Sequence, residues 1–138
     1  MPQAIYVNLF VNNLQEARDF FLTLGFSFNE QFSNDDVAAM IISENIIAML
    51  HTHDSIKRFT RKKLVNSHSE TETLLALQLD SKEEVDQLLE RAIDAGASEY
   101  RDVEDHGFMY GRSFEDLDGH IWETFWMNPE AIGETNKN

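Results

Sequence analysis

Two stretches of the chain carry the same punctuation. "NNLQEARDFFLTLG" (12–25) has Asn13 with Glu16 three residues on, and "SKEEVDQLLERAIDAG" (81–96) has Ser81 with Glu84 three residues on. That spacing is a capping box, the signature of a helix start. Leu14, Ala17, Phe20, Phe21 and Leu24 recur at helical spacing, and Gly25 and Gly96 stand where a helix ends in a left-handed residue. Each predicted helix follows an apolar run, "AIYVNLFV" (4–11) or "TLLALQL" (73–79). Three strand-like segments follow each helix. They are "FSFNEQF" (26–32), "DVAAMIIS" (36–43) and "NIIAMLH" (45–51), then "ASEYRDV" (97–103), "FMYGRSFED" (108–116) and "HIWETFWM" (120–127). Turns at Ser43–Asn45 and at "LDG" join the last two strands of each set, with Gly119 supplying the positive φ. The order βαβββ therefore occurs twice, over 4–51 and 73–127. The expected fold class is α+β: two βαβββ modules in one domain, 1–127, with a polar linker at 52–72 and a flexible tail at 128–138.

Composition bounds the chemistry. The chain has 138 residues and no cysteine, which removes disulfides, iron–sulfur clusters and thiol catalysis. Its net charge of −14 repels nucleic acid and anionic membranes, so neither is an expected partner. No apolar run approaches the length of a membrane span, and "MPQAIYVNLF" lacks the basic start of a signal peptide, so the expected location is cytoplasmic. Five of the eleven bases cluster in "KRFTRKK" (57–63), which contains no acid. That cluster reads either as a solvated basic segment balancing an acidic body or as a contact for an anionic ligand.

A doubled βαβββ of this length resembles the vicinal-oxygen-chelate superfamily, which includes glyoxalase I, extradiol dioxygenases, fosfomycin-resistance enzymes and bleomycin-binding proteins. "VNNLQEARDFFLTLGF" and "FEDLDGHIWETFW" carry the resemblance. The latter is similar to a "D-P-D-G-x-x-x-E" ending, with Leu117 in place of proline. The longer "DHGFMYGRSFEDLDGHIWE" is similar to a bacterial glyoxalase-like, or lactoylglutathione-lyase-like, subgroup. The resemblance implies two half-barrels of curved sheet around a cavity, a homodimer, and in the enzymes a divalent metal (Zn, Ni, Mn or Fe) acting as a Lewis acid. Its metal ligands come from the first and fourth strands of each module. Those positions carry Tyr6, Met49, Leu74 and Glu123 here, so only Glu123 is a standard ligand.

Strand alternation then places further residues on the cavity face. Asn8 and Phe10 are in phase with Tyr6, Ile47 and His51 with Met49, Ala76 and Gln78 with Leu74, and Ile121 and Phe125 with Glu123. The opposite phase, which includes Val7, Leu9, Ala48, Leu50, Leu75 and Leu77, is more uniformly apolar, as suits a helix-covered face. The expected ligand-binding cavity is therefore lined by Tyr6, Asn8, Phe10, Met49, His51, Leu74, Gln78 and Phe125, with Glu123 as its candidate catalytic base or ligand anchor. A buried strand carboxylate needs a partner; the alternative for Glu123 is a relic of the metal site bonded to Tyr6 or Gln78.

His51 is either a displaced metal partner of Glu123 or a rim histidine, and His53 is expected on a loop. His106, near the cavity mouth, is a further candidate, whereas His120 falls out of phase with Glu123. Tyr110 and Arg112 lie on the penultimate strand, where Arg112 reaches an anionic ligand or pairs with Glu115. Trp122, Thr124 and Trp126 share the face opposite Glu123. "DLDG" lacks the acid spacing of an EF-hand. Three functions remain open: a small-molecule-binding protein that sequesters or recognises a compound; a metal-dependent lyase or ring-cleavage dioxygenase with a rearranged site; and a non-catalytic interaction protein.

Overall fold

The structure, a computed structural model, describes residues 1–130. The tail expected at 128–138 therefore lies, from 131 on, outside the described residues; Asn128 is still bound, its N–H donating to the Phe108 carbonyl at 2.7 Å. The chain divides into two compact units, Met1–Leu64 and Val65–Asn138.

In the first unit, β1 (Ile5–Phe10), α1 (Leu14–Leu24), β2 (Ser27–Asn29), β3 (Val37–Ser43) and β4 (Ile46–His51) follow in the predicted order. Asn13 caps α1 by accepting the Glu16 N–H at 3.0 Å, and Gly25 closes it at φ 107°. The sheet order is β1-β4-β3-β2, with β1 parallel to β4 and the other pairs antiparallel. The second strand is shorter than "FSFNEQF" suggests. After Asn29 the chain tightens into a 3-10 turn, Glu30–Phe32, because the Asn29 side chain accepts the Gln31 N–H and competes with the sheet ladder. Beyond β4, Thr52 caps a one-turn helix, α2 (His53–Ile56), within the segment expected as polar linker.

The second unit repeats the plan with β5 (Leu74–Gln78), α3 (Lys82–Asp94), β6 (Ser98–Glu99), β7 (Glu104–Asp105), β8 (Met109–Glu115) and β9 (Ile121–Met127). Ser81 accepts the Glu84 N–H at 3.1 Å, and the Glu84 carboxylate accepts the Asp80 N–H at 3.0 Å, one residue ahead of the usual capping-box donor. The sheet order is β5-β9-β8-β6, with β7 also paired to β8 and β5 parallel to β9. "ASEYRDV" is not one strand. The strand ends at Glu99, with one further bond to β8 from the Tyr100 N–H, and β7 resumes the pairing at Glu104.

Each sheet has one face under its own helix. In the first, Ala38, Met40, Ala48 and Leu50 are fully buried and α1 contributes Ala17, Phe20, Phe21 and Leu24. In the second, Val85, Leu88, Leu89 and Ala92 of α3 are buried, as are Phe114, Trp122 and Thr124 of the sheet. Phe114 and Trp122 are cross-strand partners whose rings stack with centroids 6.4 Å apart. The other faces are more open: Tyr6 and Asn8 are exposed, as are Leu74, Ala76 and Gln78. No described helix is long and apolar enough to cross a membrane.

The turn into β9 is built around Asp116. Its buried carboxylate accepts the Asp118 and His120 N–H groups and the Trp122 indole N–H, each at 2.9 Å. Burial pushes the Asp116 carboxyl above its ordinary range. At Gly119, φ is +87°, and an added Cβ would lie 2.6 Å from the backbone of Ser67 and His68. Gly119→Ala is therefore expected to destabilise the protein by at least about 2 kcal/mol, since it adds a strained φ to a backbone clash. Chemical denaturation at pH 7 reads this directly; an unchanged midpoint would mean that the turn is not under this constraint.

Candidate functional site

On the open face of the second sheet, β5, β9 and β8 run side by side, so Ala76, Glu123 and Ser113 form one row across the sheet. Glu123 sits mid-strand with its side chain 18% exposed. It is not bonded to Tyr6 or Gln78. Arg101, from the irregular stretch between β6 and β7, pairs with it side-on: Nε donates to Oε1 at 3.2 Å and Nη2 to Oε2 at 2.5 Å. Nη1 of Arg101 donates to Glu104. This two-point geometry is the strong form of an arginine–carboxylate contact, and the two carboxylates, Glu123 first, raise the arginine pKa. Beside Glu123, the buried Ser113 hydroxyl has no hydrogen-bond partner among the described residues. Gln78 and Phe125 are register partners one row along, and Leu74 and Ile121 lie on the other side.

The first sheet carries a different polar group. His51, 2% exposed, bridges Asn8 and Ser55: Nε2 lies 2.7 Å from Asn8 Oδ1 and Nδ1 lies 2.8 Å from Ser55 Oγ. With Asn8 presenting its carbonyl oxygen, Nε2 donates and Nδ1 accepts the buried Ser55 hydroxyl, so one neutral tautomer satisfies both contacts. Phe59, itself 67% exposed, covers the ring with centroids 5.1 Å apart. Burial, and then the positive charge of Arg58, hold the His51 pKa below its ordinary value. His51 is thus a buried, neutral histidine rather than a rim group. Asn8 and Met49 are register partners on this sheet, as are Tyr6 and Ile47. His53 lies edge-on to Phe10 with centroids 4.8 Å apart.

Tyr110 and Arg112 belong elsewhere. Gly111 pairs with Phe125, so its neighbours on β8 project to the opposite face from Glu123, under α3. There Arg112 donates Nε and Nη2 to Glu99 and Nη1 to Asp86, all at 2.9 Å, and Tyr110 donates its hydroxyl to Asp86 at 2.6 Å. Burial and the Asp86 bond push the Tyr110 phenol up to about 12. The expected choice for Arg112, an anionic ligand or Glu115, is corrected to Glu99 and Asp86, because the chain turns those acids onto the helix side. His106 is exposed; its ring stacks on Phe108 and lies 3.6 Å from Glu104.

Sequence patterns pointed to Glu123, Asn8 and His51 but missed Arg101, Ser113 and Ser55. Arg101 is the sole base within "SEYRDVED", a visible signal only once the break after Glu99 is known. Ser55 is four residues beyond His51, within reach only because α2 turns back there.

The sequence profile of the Glyoxalase/Bleomycin resistance protein/Dioxygenase superfamily matches residues 3–124. The chain belongs to this superfamily. Structures with this fold include the hypothetical protein SA1046 from S. aureus, at 25% identity and TM-score 0.77, covering 91% of this chain and 94% of that one. A glyoxalase-related enzyme from Fulvimarina pelagi has 21% identity and TM-score 0.77, with 94% and 90% covered. FosX, a fosfomycin resistance protein from Listeria monocytogenes, has 20% identity and TM-score 0.68, with 93% of each chain covered. No curated protein matches the sequence significantly.

The metal implied by superfamily resemblance does not fit these donors. Tyr6, Met49 and Leu74 offer a phenol, a thioether and a hydrocarbon where hard or borderline divalent ions take imidazole or carboxylate. Glu123 is already held at both oxygens by Arg101. Among the described residues, no group of three or more His, Cys, Asp or Glu side chains is arranged to hold a metal.

The His51 pKa is depressed in the folded state, so the folded protein binds fewer protons than the unfolded chain as pH falls below about 6.5. Its stabilising contribution is full above that pH and is lost as pH falls toward the folded-state pKa. His51→Gln is expected to lower stability at pH 7 by about 1–3 kcal/mol, by breaking the buried Asn8–His51–Ser55 chain. Between pH 7 and pH 5 the variant's stability should fall less steeply than the wild type's. Urea unfolding across this range tests both statements; parallel slopes would contradict a buried neutral His51.

Proposed function

We propose that this chain is a small-molecule-binding member of the superfamily, with its ligand on the open face of the second sheet and Glu123 as the polar anchor. The observation that carries the proposal is the pairing of Glu123. The one carboxylate retained at the four superfamily ligand positions faces an arginine, while the other three positions hold side chains unsuited to a divalent ion. An apolar strand face with Leu74, Ala76, Ile121 and Phe125 around a few placed polar groups is the usual make-up of a small-ligand site. The role is sequestering or recognising a compound. Homodimerisation belongs to the same proposal: Ile5, Tyr6 and Leu74, exposed on edge strands β1 and β5, are apolar surface for a partner copy to cover, and light scattering reads the mass.

Elemental analysis of untagged protein should find Zn, Ni, Mn and Fe well below one equivalent. Stoichiometric metal would overturn the proposal in favour of a metal-dependent lyase or ring-cleavage dioxygenase. Glu123→Gln should abolish the thermal shifts produced by hits from a metabolite panel; shifts that persist would remove Glu123 as the anchor.

A further inference from the structure

The pairing on the second sheet has a fixed half and a movable half. Glu123 is mid-strand in β9, hydrogen-bonded into a sheet on both sides by β5 and β8. Arg101 comes from the stretch between Glu99 and Glu104 that belongs to no strand, and its side chain is 45% exposed. Moving Arg101 costs one side chain's contacts, whereas moving Glu123 would break two ladders.

Displacement of Arg101 would leave a largely buried carboxylate without a counter-ion, a place that a ligand cation can take. Ser113, the cross-strand partner of Glu123, adds a second polar group on the same face: its hydroxyl is buried and has no hydrogen-bond partner among the described residues. Tyr100 donates its N–H to the Ser113 carbonyl at 3.0 Å, which continues the β6–β8 register by one residue and places Tyr100, Ser113, Glu123 and Ala76 in one row. Tyr100 is 51% exposed and offers an aromatic edge or face to a planar cation. Ala76 keeps the far side of the row low. An anion entering the same place would meet both Glu123 and Glu104 on a chain of net charge −14, whereas a cation is attracted from solution. Arg101 already demonstrates the chemistry, since a planar guanidinium fills the two-oxygen fork of Glu123.

We propose that Glu123 and Ser113 form a subsite for the planar cationic head, an amidinium or guanidinium, of a small organic ligand, and that Arg101 is the internal competitor occupying it in the free protein. The inference rests on the ligand site proposed at Glu123 and adds the ligand's charge and the role of Arg101. Benzamidine, benzamide and benzoate share one shape and differ in charge, so they separate the two statements. Binding of each to the full-length protein is followed by NMR titration. Benzamidine should shift the β8 and β9 amides around Ser113 and Glu123. Its affinity should rise about tenfold in Arg101→Ala, where the competing ion pair is gone, and fall about tenfold in Glu123→Gln. Arg101→Gln, which keeps most of the side-chain length, should behave as Arg101→Ala and covers the case in which the alanine variant is unstable. Benzamidine affinity that is unchanged or weakened by both Arg101 variants would overturn the competitor role. Benzoate binding to the wild type, lost on removal of Arg101, would overturn the cation assignment and leave the ligand site standing. Absence of shifts at β8 and β9 with all three probes would overturn both.

Discussion

One helix covers only one face of a sheet, and that constraint organises this protein. Each unit pairs a mixed sheet with a single long helix, α1 or α3. Strand alternation sends the small and bulky apolar residues, such as Ala48, Leu50, Phe114 and Trp122, to the helix side. The remaining face has no long helix over it (in the first unit only the one-turn α2 reaches it, where Ser55 meets His51), and there the residues that fall on alternate positions, Tyr6, Asn8, Leu74, Gln78 and Glu123, meet whatever the chain or its surroundings supply. The candidate site is thus a consequence of how the core is made.

The polar groups on those faces are satisfied in two ways. On the first sheet, a neutral His51 is enclosed by neutral partners, Asn8 and Ser55, and by Phe59, an arrangement that avoids burying a charge. On the second, the charge of Glu123 is kept and compensated by a guanidinium fork. On the open face of the second sheet, Glu123 therefore meets an organic cation, the Arg101 guanidinium. The helix side of the same sheet holds a separate network, in which Arg112 and Tyr110 share Asp86. There one guanidinium serves two carboxylates, Glu99 and Asp86, and α3 supplies Asp86.

Local signals were legible where the physics is local. Asn13, Ser81, Gly25 and Gly119 act on backbone groups within a few residues, and each does what its sequence context implies. Alternation along β9 separated Glu123 from Trp122 and Thr124 because the period of a strand is two. Extents of the short strands were not legible. Asn29 diverts its own backbone into a turn, and the run after Glu99 leaves the ladder before it rejoins at Glu104. The same break put Arg101 out of reach of pattern reasoning, since a continuous strand over 97–103 would have fixed its face by parity.

By itself the sequence determined the order of the main elements, the helix caps, and the covered and open phases of the main strands. These depend on residue type and on spacing within one element. Only the tertiary structure decided the partners: Arg101 for Glu123, 22 residues away, Asn8 for His51, 43 away, and Asp86 for Arg112, 26 away. Such pairs are set by strand register and by where irregular segments rejoin the sheet, and neither quantity is written in the periodicity of any one segment.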